Sequence, residues 1–516
     1  MSGHVSVIGA GPGDPGLISV RGLQLLGRAD VVIYDRAAAG LLRWARPDAE
    51  TIEAGEPAEG SVAQDALSML IADKAREGRR VARVKWGDPF VFDSGGKEAL
   101  FVHEQRIPFE VVPGIPAAIG ASAYAGIPLS YPGSGDAIVL LRGSEHSADG
   151  LPDVDWSALA KLDGTIVCTV SGRQGASVID ALMSHGRAGD TPAALIYQGT
   201  LTTQRTIGGT IAELFAHLSE PAAQDIATLV IGEVASLRDH LRWYDVRPLF
   251  GKRIVITRSR DQARELADEL ERLGAQTIEA PLFRLAPAED PEAIDRVAAS
   301  ASANQWIVFA SANSVTKFFS ALLSGAGDLR SLGNVSICAI GPTTVERLEA
   351  RGIKPDVAVP EVRVEVIVEA LSAAGTPAGN AADGLNGQRV LIVRPDYLRE
   401  GLATELARKG ASVTDVVAYR TAAASPESSE AQEIYRLLLE GRVDAVTFTS
   451  PTAVRRFADL IGNEQAADLL NTTVVAALGP VTKAAAEQLG IATTIVPKNF
   501  TVDALVSELV GHFARK

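Results

Sequence analysis

HVSVIGAGPGDPG, residues 4–16, opens on an apolar strand and runs straight into a turn rich in glycine and proline. A helix pattern follows near Val20–Gly27, then a strand at Val31–Tyr34, a helix near Val62–Gly78 and a strand at Val81–Lys85. That βαβα order predicts α/β layers around a largely parallel sheet. From about residue 135 to 236 the strands Ala137–Leu141, Thr165–Val170, Ala193–Tyr197 and Thr228–Ile231 predict a second lobe with a mixed sheet. The opening turn is no dinucleotide fingerprint. Gly9 and Gly11 fit, but Asp14 holds the third glycine position and Pro12 removes an N–H that a pyrophosphate would want. Two readings stay open: a tight strand-to-helix turn, or a loop whose backbone approaches a flat or cationic ligand.

Further along, the chain repeats itself. RIVITRSRDQARELADELERLGA (253–275) aligns with RVLIVRPDYLREGLATELARKGA (389–411) at an offset of 136. IVFASANSV (307–315) matches AVTFTSPTAV (445–454), setting Ser311 against Ser450, and CAIGPTTVERLEARGI (338–353) matches AALGPVTKAAAEQLGI (476–491). The period is far too long for a solenoid, so two similar α/β lobes are expected, with a ligand cleft between them as the default. Ala373–Gln388 separates the copies as an Ala/Gly/Asn-rich loop. SLRDHLRWYDVRPLF (236–250) has no clean period and precedes the fresh strand KRIVITR. The expected division is therefore 1–245, a short linker at 246–250, and 251–516.

At 516 residues the chain holds about three domains' worth of sequence, enough to bury several cores without staples. Lys+Arg 49 against Asp+Glu 63 gives a net charge of −14, the wrong sign for a non-specific nucleic-acid or anionic-membrane binder. Cys168 and Cys338 stand too far apart for a disulfide framework or a thiolate cluster, which fits a reducing cytosol. The start shows no signal-peptide pattern, no apolar run approaches a membrane span, and the seven histidines never pair at ligand spacing. The expectation is a cytoplasmic protein with no metal site.

Asp35 sits just past the strand Val31–Ile33, at the edge where open α/β sheets bind ligands, and it could cap the next helix or act as a carboxylate base. KWGDPFVF (85–92) repeats the arrangement with Asp88. PFEVVPGIPAAIGASAYAGIPL (108–129) reads as strand, turn and a helix of small residues, suited to lie against a ligand or against another helix. In the second half, Ser311, Asn313, Ser450 and Thr452, with Thr343, Thr344 and Thr482, fall in turns that open helices. Such turns either cap the helix or bind carboxylates with backbone N–H groups and hydroxyls. Arg258 and Arg394 at strand ends could add charge-assisted contacts, or be solvated.

GAGPGDP, YDR, K-x-GDPFVF, VVPGI…AYAGIPL, QGT (198–200) and LRDHLRWYD resemble, in order and spacing, the tetrapyrrole methylase family over about residues 4–245, above all its uroporphyrinogen-III C-methyltransferases. The resemblance implies S-adenosylmethionine as cofactor, held by Pro12, Trp86, Gly87, Asp88, Val91, Pro116, Ala117, Val170 and Gly199, with Asp35 as proton acceptor. It also implies a homodimer formed through this half, small-molecule tetrapyrroles as ligands, and supply to sirohaem and cobalamin. Some positions depart from the family pattern: Trp86 for a glycine, Glu56 for the proton-donating lysine, Ser130-Tyr131-Pro132 for Thr-His-Arg, Arg142-Gly143-Ser144 for Thr-Gly-His, and Val170 for a methionine.

RIVITR, FASANSV, AIGPTT, VVAYRT, FTSPTAV and ALGPVT resemble, as an ordered set over about 251–512, the uroporphyrinogen-III synthase family. That resemblance implies cofactor-free closure of hydroxymethylbilane to uroporphyrinogen III, in two interleaved lobes: 251–283 with 421–516, and 284–420. It also implies a place for Tyr419 beside the leaving hydroxyl; as a bare residue, Tyr419 is as readily a tyrosine stacked at a lobe junction. The expectation is a bifunctional enzyme. Its rivals are an active synthase with a degenerate, ligand-binding methylase half, and a non-enzymatic two-lobed small-molecule binder.

Overall fold

The computed structural model describes residues 3–46, 48–54, 61–142, 151–219, 225–257, 260–280, 282–325, 327–360, 363–374, 384–396 and 401–514. The first sheet takes β1 (His4–Gly9), β2 (Val31–Asp35), β3 (Glu50–Ala54), β4 (Arg80–Lys85) and β5 (Phe109–Val112) in the order β3-β2-β4-β1-β5. All its pairs are parallel. Val5, Val7 and Val81 pack in one core, Ile8, Val32 and Val84 in another on the opposite face. Burial on both faces is why these strands read as apolar runs rather than alternations.

The second sheet takes β6 (Ala137–Leu141), β7 (Gly164–Val170), β8 (Pro192–Tyr197), β9 (Arg205–Thr210) and β10 (Ala227–Ile231), ordered β6-β7-β10-β8-β9. Only β6–β7 is parallel, so this lobe is mixed. The small-residue helix Ala117–Tyr124 packs on one face through Ala121, against Val167, Ala194 and Val230.

The duplicated half forms two further sheets. One orders β12 (Gln276–Glu279), β11 (Arg253–Ile256), β19 (Ala445–Phe448) and β20 (Val474–Ala477), all parallel. The other orders β13 (Phe283–Ala286), β18 (Ser412–Ala423), β17 (Arg389–Pro395), β14 (Trp306–Phe309), β15 (Ser336–Ile340) and β16 (Val357–Val359). In it only β13 runs antiparallel to its neighbour. The chain therefore leaves the first of these sheets after Glu279, builds the second, and returns to the first with β19. No helix among the described residues is long and apolar enough to cross a membrane.

The stretch 246–250, expected as a linker, is exposed at Val246 and packed at its C-terminal end. Leu249 is wholly buried in the core with Ile254, Ile256, Leu266 and Leu505, and its N–H donates to the Leu273 carbonyl at 2.9 Å. Phe250 meets the ring of Tyr244, centroids 5.3 Å apart, edge to face. Removing a fully buried leucine side chain leaves a cavity as well as losing transfer energy. Leu249→Ala should therefore destabilise the second half by about 2–5 kcal/mol, read as a lowered denaturant midpoint; a loose tether would leave that midpoint where it was.

Candidate functional site

Three loops meet at the C-terminal edge of the first sheet. Gly11 and Gly87 exchange backbone hydrogen bonds at 3.1 and 2.8 Å, tying the turn after β1 to the turn after β4. Asp88 extends the tie: one carboxylate oxygen accepts from the Phe90 N–H at 2.8 Å and the other from the Gly114 N–H at 2.9 Å. The backbones approach so closely that a Cβ on Gly114 would sit 2.1 Å from the Gly87 carbonyl, and one on Gly9 would sit 2.4 Å from the Gly114 nitrogen. Only glycine fits there. Pro12 is buried against the small-residue helix, where a Cβ on Gly120 would lie 2.5 Å from its ring. Gly199, in the turn after β8, presses on Ala121 of the same helix. The helix thus packs tightly, on the face of the second sheet and against the loop set.

Of the residues expected to hold a cofactor, Pro12, Trp86, Gly87, Asp88, Pro116 and Ala117 stand on these joined loops, and Val91 follows them with an exposed side chain. Val170 ends β7 with its side chain in the core shared with Val178 and Leu218, so what it can offer a ligand is backbone. Asp35 makes no cap bond to the 3-10 helix Arg36–Trp44 that it precedes. Its carboxylate is engaged on both oxygens, by Arg83 Nη2 at 2.6 Å and by the Trp86 N–H at 2.9 Å. Glu56 and Gly143-Ser144 lie outside the described residues.

The sequence reading missed the charges behind Asp35. Arg83 and Lys85 project from the same face of β4, each side chain 2% exposed, and both meet Glu98, 1% exposed, at 3.1 Å. Lys85 also bonds Asp93 at 2.9 Å and the Ser94 hydroxyl at 2.9 Å; Gln64 donates to Glu98 at 3.1 Å. Burial alone would push the Glu98 carboxyl upward; the charges of Arg83 and Lys85 more than reverse it and hold it below the ordinary glutamate range. The available signal was the strand itself: two cations alternating inside RVARVK cannot be buried without a partner.

In the duplicated half the repeated turns lie at the C-terminal edges of neighbouring parallel strands, Ser311 after β14 and Thr344 after β15, Ser450 after β19 and Thr482 after β20. Ser311 and Ser450 are N-caps, accepting from the N–H groups of Ser314 and Ala453 at 3.1 and 3.2 Å. Tyr419, 3% exposed, sits in the core with Phe309 and Phe318, and its hydroxyl meets Ser311 Oγ at 3.1 Å. Two residues singled out separately are thus brought together across 108 positions of chain. Asn313 is half-buried beside Ser311, whereas Thr344 and Thr482 are buried, turned inward at the third positions of their helices. Arg394 is corrected: it is buried, and its guanidinium grips the Asp415 carboxylate through Nε at 2.7 Å and Nη2 at 2.9 Å. Arg394 and Asp415 stand on adjacent strands, and a buried guanidinium takes the nearest carboxylate. Arg258 lies outside the described residues. No group of three or more candidate metal ligands occurs among the described residues.

Two family models match this chain: Tetrapyrrole (Corrin/Porphyrin) Methylases over residues 4–215, and Uroporphyrinogen-III synthase HemD over 264–507. The uroporphyrinogen-III C-methyltransferase of Bacillus subtilis is 33% identical over 362 residues, covering 69% of this chain and 74% of that protein. The porphyrin biosynthesis protein HemD of Ruminiclostridium josui is 29% identical over 510 residues, 98% of each. A siroheme synthase of Neisseria meningitidis is 46% identical over 244 residues, 47% of this chain, and the chain spans about half its length.

Glu98→Gln would leave Arg83 and Lys85 buried with one anion fewer. The expected loss is about 3–5 kcal/mol at neutral pH. Because the folded carboxyl lies below its unfolded value, its contribution is complete above about pH 4.3 and is lost as pH falls through the folded value. The gap between wild type and variant, read by denaturant titration across pH, should therefore narrow in acid; a constant gap would mean that Glu98 contributes packing alone.

Proposed function

The chain belongs to the tetrapyrrole methylase family and carries a uroporphyrinogen-III synthase half behind its methylase half, and from that premise we propose that it performs two consecutive steps of tetrapyrrole biosynthesis. The second half closes hydroxymethylbilane to uroporphyrinogen III with loss of water. The first half methylates that product to precorrin-2 with S-adenosylmethionine. The observation that supports the pairing best is that both halves gather their singled-out residues at the C-terminal edges of parallel strands, where open α/β sheets take ligands.

The loops of the first half fit such a cofactor. Gly87 has positive φ and a free face, with only the Ala117 nitrogen within 4 Å of where a Cβ would stand. Pro12 and Gly199 press on the small-residue helix that Ala117 opens, and Asp88 fixes two of the loops. When bound, the cofactor supplies a methyl group on a positively charged sulfur. Asp35 accepts a proton at a carboxylate oxygen, and Arg83 and the Trp86 N–H hold that carboxylate in place. In the second half, the N–H groups that open the helices after Ser311 and Ser450 hold substrate carboxylates. Tyr419, aimed at Ser311, donates a hydrogen bond or proton to the departing hydroxyl.

A second reading is favoured by one observation: both oxygens of Asp35 already have partners. On that reading the first half binds the cofactor but transfers methyl groups slowly. Incubation of the full chain with hydroxymethylbilane and S-adenosylmethionine separates the two, through the ring isomer formed and the number of methyl groups gained.

Tyr419→Phe should slow formation of the type III isomer by about one to two orders of magnitude, part of a general-acid contribution of roughly 10²–10⁴; unchanged turnover would reduce Tyr419 to packing. Asp35→Asn should cut methyl transfer by about 10²-fold or more while S-adenosylhomocysteine binding stays within twofold. Equal losses in binding and rate would make Asp35 a structural anchor of the Trp86 loop.

A further inference from the structure

The segment 238–244, which ends the first half just ahead of 246–250, reaches back into the loop set. Thr200, the residue after Gly199, has φ 71°, a conformation that β-branched residues avoid. Strain of that kind persists only where surrounding groups fix it. Three groups do so: the Thr200 N–H donates to Gln204 Oε1 at 2.9 Å, its Oγ1 accepts from the Asp14 N–H at 3.0 Å, and its carbonyl accepts from the Tyr244 hydroxyl at 2.9 Å. Asp14 belongs to the turn after β1, and its carboxylate accepts from the Tyr124 hydroxyl at 2.7 Å. Tyr124 and Tyr244 meet with centroids 4.6 Å apart and ring planes tilted by 59°, so one aromatic pair holds both the turn after β1 and the turn after β8.

The same segment closes the far end of the small-residue helix. Trp243 Nε1 donates to the Ala123 carbonyl at 3.0 Å, Arg238 donates to the Ala125 carbonyl, and a Cβ on Gly126 would sit 2.6 Å from the Arg242 nitrogen. Burial pushes the Tyr244 hydroxyl up to about 12, with the Asp14 charge adding to the effect, so it remains a donor across the working range.

We propose that Tyr244 is a positioning residue for the methyl-donor site: its hydroxyl fixes the strained Thr200, and through Thr200 it holds Gly199 and the turn after β1 in their binding geometry. This rests on the reading that the first half takes S-adenosylmethionine. Tyr244 is 4% exposed and acts through Thr200 rather than on a ligand.

The test uses the full chain with Tyr244→Phe, which keeps the ring contacts and removes one hydroxyl. S-adenosylhomocysteine affinity by calorimetry should fall about fivefold to tenfold, the size of one net hydrogen bond. KM for S-adenosylmethionine should rise by the same factor while kcat changes less than twofold, and synthase turnover should be unchanged. Tyr124→Phe, which frees Asp14 from the other side, should move affinity in the same direction. Affinity and KM within twofold of wild type overturn the proposal, as does a drop in melting temperature with affinity intact. Wild-type chain that binds no S-adenosylhomocysteine overturns this inference together with the reading it rests on; wild-type binding with an indifferent Tyr244→Phe overturns this inference alone.

Discussion

Two cations buried on one strand set the terms for the first half. Arg83 and Lys85 leave the same face of β4, at the sheet edge where the loops converge, and both are buried. An isolated buried charge costs several kcal/mol, so the strand can exist only if carboxylates follow it inside. Glu98 meets both cations, and Asp35 and Asp93 take one each. Structure and site are thereby the same network: the charge that neutralises Arg83 on the outer side is the carboxylate at the end of β2. Asp35 owes its position to a pairing that the fold requires on electrostatic grounds.

In the second half the constraint is duplication. Each copy places serine and threonine turns over helix N-termini, and the caps are nearly superposable in their bonds: Ser311 to Ser314, Ser450 to Ala453. The hydroxyls therefore serve as caps first, and a ligand would be met by the backbone donors that remain at each helix start. The GP-x-T threonines follow a different rule. At the third helical position they turn toward the core, which is why they are buried rather than displayed on a rim.

Much of this architecture is legible in the sequence because strands buried on both faces write themselves as unbroken apolar runs. β6 is read to the residue, and β2, β4, β7, β8 and β10 within one residue at either end. β9 is missed for a physical reason: RTIGGT carries two glycines and pairs on one side only, so neither propensity nor burial marks it. The boundary at 246–250 is read from the breaks at Asp245 and Pro248, yet the two apolar residues that end the stretch, Leu249 and Phe250, pack against neighbouring elements. Asp35, Asp88 and Tyr419 are legible from motif order. Their partners Arg83, Gly114 and Ser311 are not, since each contact depends on which elements the fold makes neighbours. Arg394 misleads for the converse reason: position at a strand end says nothing about whether a carboxylate waits on the adjacent strand.

The duplicated lobes share a scaffold and still carry different chemistry at one position. The offset of 136 that aligns Arg253 with Arg389 sets Phe283 against Tyr419. In one copy the strand after the helix, β18, runs on for 12 residues, which keeps Tyr419 in the sheet and under Ser311. In the other, the strand stops at Glu279, and the chain crosses to the second sheet, where Phe283 pairs with Ala423. The crossover that interleaves the lobes thus sets Tyr419 of the second copy beneath Ser311 of the first, and carries Phe283 of the first copy to the edge of that same sheet. Ser450 keeps its cap to Ala453, and Phe283, which aligns with Tyr419, has no hydroxyl to offer a serine. One tyrosine hydroxyl therefore stands beneath one of the two duplicated serine turns, and the other turn has none.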